Sequence, residues 1–263
     1  MNLLFIGDVI GRPGRAAIQA RLPGLVSRYQ VDLTIANAEN AAGGLGVTPT
    51  VAEELLGAGV DVLTTGNHVW KHRAFADFAQ SERRILRPAN YPPGAPGQGA
   101  EVFETAHSGP VAVLNLVGRV FMEPLDCPFR AADREIEALR GRTNLIVVDI
   151  HAEATSEKVA LGWHLDGRVS AAIGTHTHVQ TADERVLPGG TAYITDVGMT
   201  GPRDSVIGIR REPVIERFLT GLPTRFEVAT GPVILNGVAV TIDAETGTAR
   251  SIERVIELIE PEQ

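Results

Sequence analysis

The feature that most constrains this chain is a series of short, unbroken apolar runs that each close on polar residues. They are Leu3–Gly7, Asp32–Ala36, Asp61–Thr64, Val111–Val117, Leu145–Ile150, Ser170–Gly174 and Ala192–Thr195. Apolar side chains that do not alternate with polar ones fit strands buried on both faces. Helical stretches lie between them. Pro13 opens one that runs towards Tyr29, with a break expected at Pro23. Thr48-Pro49 gives VAEELLGAG an N-cap and a proline at its first helical position. Ala131–Arg140, Ser156–His164 and Glu212–Leu219 are further helices. Strand alternating with helix predicts a layered α/β architecture with mainly parallel strands. Phe226–Ile259 has another character. Its β-rich runs, split at Asn236-Gly237 and Asp243–Gly247, predict hairpins and so an antiparallel C-terminal addition. Pro88–Gly99 reads as a surface loop. The 263 residues then fit one α/β domain, residues 1–263, better than two independent units.

Charge narrows the partners. A net charge of −8 leaves no general attraction for duplex nucleic acid, although a local rim could still hold a small phosphate ester. The single cysteine, Cys127, cannot form an internal disulfide, which predicts a reducing, cytoplasmic setting. It reads as a small buried apolar residue. The opening MNLLFIGDVIGRPGR lacks a basic region and meets Asp8 too early for a signal peptide. No apolar run approaches the ~20 residues that span a bilayer, so no membrane partner is expected.

The polar residues that close the runs carry the chemistry. LLFIG ends at Asp8, and LTIA leads to Asn37-Ala38-Glu39-Asn40. VLTT leads to Gly66-Asn67-His68, LIVVDI ends at His151, and AAIG leads to Thr175-His176-Thr177-His178. Sites in open parallel α/β sheets form beyond the carboxyl ends of the strands, so residues spread from Asp8 to His178 should converge on one edge. Imidazole with carboxylate and no thiolate suits Zn, Mn or Fe. Three histidines, two carboxylates and two amides from among these already exceed the needs of one tetrahedral ion. Two ions sharing a carboxylate would use them all, and ions about 3.5–4 Å apart suit in-line displacement at phosphorus.

The order Gly7-Asp8, Glu39, Gly66-Asn67-His68, His151, His176-Thr177-His178 resembles that of the calcineurin-like metallophosphoesterases. The words FIGDVIGRPGR, NAENAAGG, TTGNHVW, DIHAEATSEK, GTHTHVQTAD and TDVGMTGP are similar to the bacterial YmdB-type branch, which contains 2′,3′-cyclic-nucleotide phosphodiesterases. The resemblance implies an α/β/β/α sandwich. It implies that Glu39 bridges two metal ions, with Asp8, His178 and Asn40 on the first and Asn67, His151 and His176 on the second. It makes His68 the general acid facing the phosphate. The reaction implied is hydrolysis of a small phosphodiester, such as a 2′,3′-cyclic nucleotide, by a hydroxide bridging the ions. Two departures from the wider superfamily matter. The usual Asp-x-His opening is Asp8-Val9-Ile10, and Glu39 stands in place of a bridging aspartate. The resulting oxygen-rich first site favours Fe or Mn over a zinc pair.

Other residues read more plainly. His72, His107 and His164 fall outside the motifs and read as surface or packing residues. Gly43-Gly44-Leu45-Gly46 lacks the Lys-Ser/Thr of a P-loop and reads as a turn near the site. Arg12, Arg15 and Arg203 read as solvated charges, and Trp70 as packing. Glu153, Thr155 and Lys158 are candidate partners for a ligand histidine. Two competing functions remain: a phosphomonoesterase or nuclease of the same superfamily, and a metal-binding regulatory protein with incidental catalysis. Exposed C-terminal edge strands could pair between subunits into a homo-oligomer.

Overall fold

A computed structural model of the chain describes residues 1–260. In chain order its elements are β1 (Asn2–Ile6), β2 (Asp8–Val9), α1 (Gly11–Tyr29), β3 (Leu33–Asn37), α2 (Pro49–Gly57), β4 (Val62–Thr64), α3 (Arg73–Ser81), β5 (Ile85–Leu86), β6 (Ala100–Thr105) and β7 (Gly109–Val117). They continue with α4 (Pro128–Arg140), β8 (Ile146–His151), α5 (Thr155–Leu165), β9 (Ala171–Thr175), β10 (Arg185–Val186), β11 (Ala192–Ile194), β12 (Met199–Pro202), α6 (Arg211–Thr220), β13 (Val233–Ile242) and β14 (Ala249–Ile259).

Two sheets form. In the first, β1, β3, β4 and β5 run parallel, and β13 joins β1 antiparallel. The second has the order β10-β11-β9-β8-β7-β6, parallel from β11 to β7. The unbroken apolar runs now have a cause. Successive side chains of a strand point to opposite faces. Leu3 and Phe5 of β1 pack between the sheets with Val113, Val147, Ile173 and Ile194. Leu4 and Ile6 pack outward with Ile18, Leu22 and Leu55 of α1 and α2. Across the second sheet, Leu114 and Val148 meet Ile136 and Leu161 of α4 and α5. Helices thus cover both outer faces, giving α/β/β/α layers. No helix among the described residues is long and apolar enough to cross a membrane.

The C-terminal hairpin is antiparallel, and Asp243–Gly247 is its turn, closed by Gly247 N–H donating to the Asp243 carbonyl at 2.8 Å. It is built into the first sheet. Thr241 of β13 faces Asn2 of β1 on one side and Ser251 of β14 on the other.

Four sequence expectations are corrected. Asn236-Gly237 is no turn but the interior of β13: the Asn236 carbonyl accepts from Gly7 N–H at 3.0 Å, and its side-chain amide donates to the Met199 carbonyl at 2.9 Å. Pro23 does not break α1. It sits on the solvent side between buried Leu22 and Leu25, and the carbonyl it frees belongs to exposed Gln19, where water can bond it. The Pro88–Gly99 loop starts inside, with Pro88, Ala89 and Asn90 buried because Asn90 donates to the carbonyls of Val117 and Asp126. Cys127, expected to be buried, is only half-buried, because it sits at the loop end that leads into α4. The Thr48 cap holds: its hydroxyl accepts from Val51 N–H.

Candidate metal centre

The parallel strands deliver their terminal residues to one edge, and all eight residues singled out by the sequence meet there. Asp8, Glu39 and His151 are fully buried. The tightest grouping is Glu39, His151 and His176, whose ligand atoms lie within 4.8 Å of one another. His151 Nε2 is its focus, 3.1 Å from Glu39 Oε1, 3.2 Å from Asn67 Oδ1 and 3.0 Å from His176 Nδ1. Asp8 and His178 form a looser pair, Oδ1 to Nε2 3.7 Å. Asn40 joins the two groups: its amide nitrogen lies 3.1 Å from Glu39 Oε1 and 3.2 Å from His178 Nε2. Its oxygen faces His68 Nδ1 at 2.9 Å. An amide turned by 180° would offer that oxygen to the ligand cluster instead.

Glycines make this approach possible. A Cβ on Gly66 would lie 2.2 Å from His151 Cδ2 and 2.3 Å from Glu39 Oε2. Only glycine lets β4 end against the cluster and turn into Asn67-His68.

Each ligand-type histidine has one ring nitrogen committed to a protein acceptor. His151 Nδ1 is 2.9 Å from Thr175 Oγ1, whose hydroxyl donates to buried Asp149 at 2.7 Å. His176 Nε2 is 3.0 Å from Glu153 Oε2. His178 Nδ1 is 3.0 Å from the Ile207 carbonyl. In all three the other nitrogen faces the cluster. That is how outer partners fix a metal-binding imidazole.

Burial pushes the Asp8 carboxyl up to about 6, against the pull of His178 and His151. Burial also pushes Glu39 up, but the His151 charge and hydrogen bond overcome it and hold Glu39 well below the usual range. Burial disfavours a charged His151, yet Glu39 beside it lifts the imidazole to about 9. Burial, together with charged His151, drives His176 down to about 3.

These residues fit a cation site. Asp8 Oδ1 is buried without a hydrogen-bond partner among the described residues, a rare and costly state for a carboxylate oxygen. The donors are nitrogen and oxygen only, as borderline divalent ions take them. The cavity in front, about 430 Å³, is lined by Glu39, Asn40, His68, Glu153, His176 and His178 but by no lysine or arginine. A phosphate ester there would face carboxylates without compensation unless cations lay between.

The histidine loop is strained. His176 has φ +98° and His178 φ +68°, a region costing about 1–3 kcal/mol per residue outside glycine. Asp196 holds it. Its Oδ2 accepts from Thr177 N–H at 3.0 Å, from the Thr177 hydroxyl at 2.7 Å and from Lys158 Nζ at 2.6 Å, and its Oδ1 accepts from Gly198 N–H at 2.8 Å. Lys158 and Asp196 are both fully buried.

Glu153 and Lys158 therefore act near the histidines, through different partners. Arg15 pairs with Glu54, and Arg203 with Asp204; Arg12 is exposed, and none of the three lines the cavity. Trp70 packs edge-on against Tyr91. His72 bonds the Leu45 carbonyl, and His164 bonds Asp133. Sequence reasoning missed Asp149, Thr175, Asp196 and Ile207. Asp149 sits two residues before His151, on the same strand face, and Asp196 follows the end of β11. Both signals were present in the strand pattern. Ile207 gave none.

Comparisons with known proteins find relatives along nearly the whole chain. The family model described as "YmdB-like protein" matches residues 4–255. The chain is 51% identical over 256 residues to the 2′,3′-cyclic-nucleotide 2′-phosphodiesterase of Bacillus subtilis strain 168, covering 97% of each. It is similar to a crystal structure of a novel phosphatase from Mycoplasma pneumoniae, with TM-score 0.93 and 38% identity over 99% of this chain and 94% of that one. The calcineurin-like phosphoesterase YfkN of Bacillus subtilis shares the fold at TM-score 0.56 and 10% identity, over 98% of this chain and 90% of that one.

Proposed function

Since this chain belongs to the YmdB-like protein family, we propose that it is a metallophosphoesterase that hydrolyses small phosphodiesters, 2′,3′-cyclic nucleotides foremost, at a two-metal centre. Glu39 would be shared between the ions, with Asp8, Asn40 and His178 as the side chains that would hold one of them and Asn67, His151 and His176 the other. The oxygen-rich first set favours iron or manganese over a zinc pair. The observation that carries this reading is the buried, partnerless Asp8 Oδ1 at the rim of three histidines that each commit one ring nitrogen to an outer partner and turn the other inward. The 51% identity to an enzyme named for cyclic-nucleotide hydrolysis supports the substrate class.

Bound cations supply the positive charge that neutralises phosphoryl oxygens and that lets water ionise near neutral pH. The chain's own residues do the rest. His68 is anchored twice: its backbone N–H donates to Glu39 Oε2 at 3.2 Å, and its Nδ1 faces the Asn40 side-chain amide, whose NH2 would donate to it once the Asn40 oxygen is turned to the ions, leaving the ring proton on Nε2. That leaves Nε2, in a side chain about a quarter exposed to the cavity, to hand a proton to the departing oxygen. With a cation in place of the Nε2 proton, Asp149, through Thr175, would hold the remaining proton on His151 Nδ1 and fix the ring with Nε2 towards the ion. Asp149→Asn or Thr175→Val is expected to weaken metal affinity about ten- to hundredfold, read by chelator competition.

The test of the reading is direct. Protein loaded with Mn²⁺ or Fe²⁺ is expected to hydrolyse 2′,3′-cyclic AMP and bis(4-nitrophenyl) phosphate, with the diester rate exceeding the monoester rate. Fully metallated protein inert on every diester overturns the proposal. A dominant monoesterase rate moves it to a phosphatase, the word used for the Mycoplasma relative.

A further inference from the structure

We propose that Leu45, Ile207 and Phe226 form an apolar clamp that holds the flat face of the ester's organic group, so that the site selects by apolar area and not by a base's hydrogen-bonding edge. The proposal rests on the phosphodiesterase reading above and deepens it by naming how the organic half of the substrate is chosen.

All three residues line the cavity that the histidines and Glu39 open into. All three are large apolar side chains left in water, 43%, 50% and 42% exposed. Apolar groups gathered at one mouth mark a place where another apolar surface is meant to sit.

Ile207 is the most informative of them. Its φ is +47°, left-handed backbone that a β-branched residue rarely adopts. The surroundings enforce it: the Ile207 carbonyl accepts from His178 Nδ1, Val206 and Ile209 bond each other's backbones, and Gly208 N–H donates to Ser205 Oγ at 2.8 Å. Glycine at position 207 would take that backbone without strain and still present the same carbonyl. What isoleucine adds is a side chain at the cavity mouth. Strain kept at a cavity wall points to a use for that side chain.

The other two members are held in place. The Leu45 carbonyl accepts from His72 Nε2 at 3.0 Å, which ties the glycine loop down. The Arg217 guanidinium lies 5.3 Å from the Phe226 ring centroid. Around them, little is free to read an edge. The Thr177 hydroxyl is committed to Asp196 and one Glu153 oxygen to His176, and the lining holds no arginine, lysine, glutamine or serine. A nucleobase would therefore meet apolar faces on its flat side and no dedicated donors along its rim.

The experiment compares 2′,3′-cyclic AMP with the five-membered cyclic phosphate of ethylene glycol, which carries the same reactive ring and no base. Metallated Phe226→Ala and Ile207→Gly are each expected to lower the kcat/KM ratio of nucleotide over small ester roughly tenfold, within the range of one base–aromatic contact, with the loss in KM. The unaltered protein is expected to hydrolyse the 2′,3′-cyclic phosphates of all four nucleosides with kcat/KM values inside about tenfold of one another. An unchanged ratio in both variants, or wider base discrimination, overturns the clamp. Equal losses on both esters together with lost metal also overturn it, assigning Ile207 to holding His178 alone. Failure of the unaltered, metallated protein on both esters defeats the phosphodiesterase reading itself and is told apart by that.

Discussion

Replacing His68 by alanine is expected to cut phosphodiester turnover roughly 10²–10⁴-fold while the bound metal stays near its normal level. The reason is its position. Nδ1 and the backbone N–H tie His68 to Asn40 and Glu39, but its ring is not part of the tight Glu39, His151 and His176 grouping. A group that hands over a proton leaves a particular signature when lost. Esters with good leaving groups, such as 4-nitrophenolate, need that proton less than a ribose oxygen does. The variant should therefore lose far more rate on 2′,3′-cyclic AMP than on bis(4-nitrophenyl) phosphate. Equal losses on both, with metal retained, would assign His68 to positioning instead. A cellular effect that persists in the variant would favour the regulatory alternative.

Lys158→Met is expected to cost about 3–5 kcal/mol of stability, because it strands the Asp196 carboxylate in the interior without its ammonium partner. For a chain of this length that is a fall on the order of 10 °C in melting temperature. Charge compensation and loop support separate in the double variant. Lys158→Met with Asp196→Asn removes the stranded charge, so much of the stability should return. An amide oxygen is a weaker acceptor for Thr177, and no ammonium is left to brace it. The strained His176–His178 loop should therefore remain loosened, and metal affinity should stay low. Thermal denaturation and metal titration on the same samples check this. Full recovery of metal affinity in the double variant would show that the loop needs no charged anchor.

The layout of the molecule was largely legible in its sequence. Continuous apolar runs marked two-sided strands because β1 and β8 really do face a second sheet on one side and helices on the other. The polar residues closing those runs come together because parallel strands share an end. What escaped depends on tertiary context. Asn236-Gly237 has the local chemistry of a turn, but a strand pairs along each side of it and both backbone groups of the sheet are used there. Pro23 has the local chemistry of a break, but Leu22 and Leu25 hold α1 against the sheet on either side. Asp149 and Asp196 are invisible as partners until the fold brings Thr175 and Lys158 to them. Ile207 sits in a loop whose backbone is set by His178, 29 residues earlier in the chain, so no local pattern announces its conformation.

The place of β13 has a bearing on how such a chain is made. Gly7 N–H, one residue before Asp8, bonds the Asn236 carbonyl, and β1 pairs along Gly237–Thr241. During synthesis β1 emerges long before β13, so its edge on that side waits unpaired until β13 has been made. A nascent chain halted before residue 233 carries every proposed ligand yet lacks the strand that completes the seat of Asp8. Stalled or clipped products that lack β13 are therefore expected to bind added divalent metal more weakly than the whole chain, which metal titration of a chain ended before residue 233 checks.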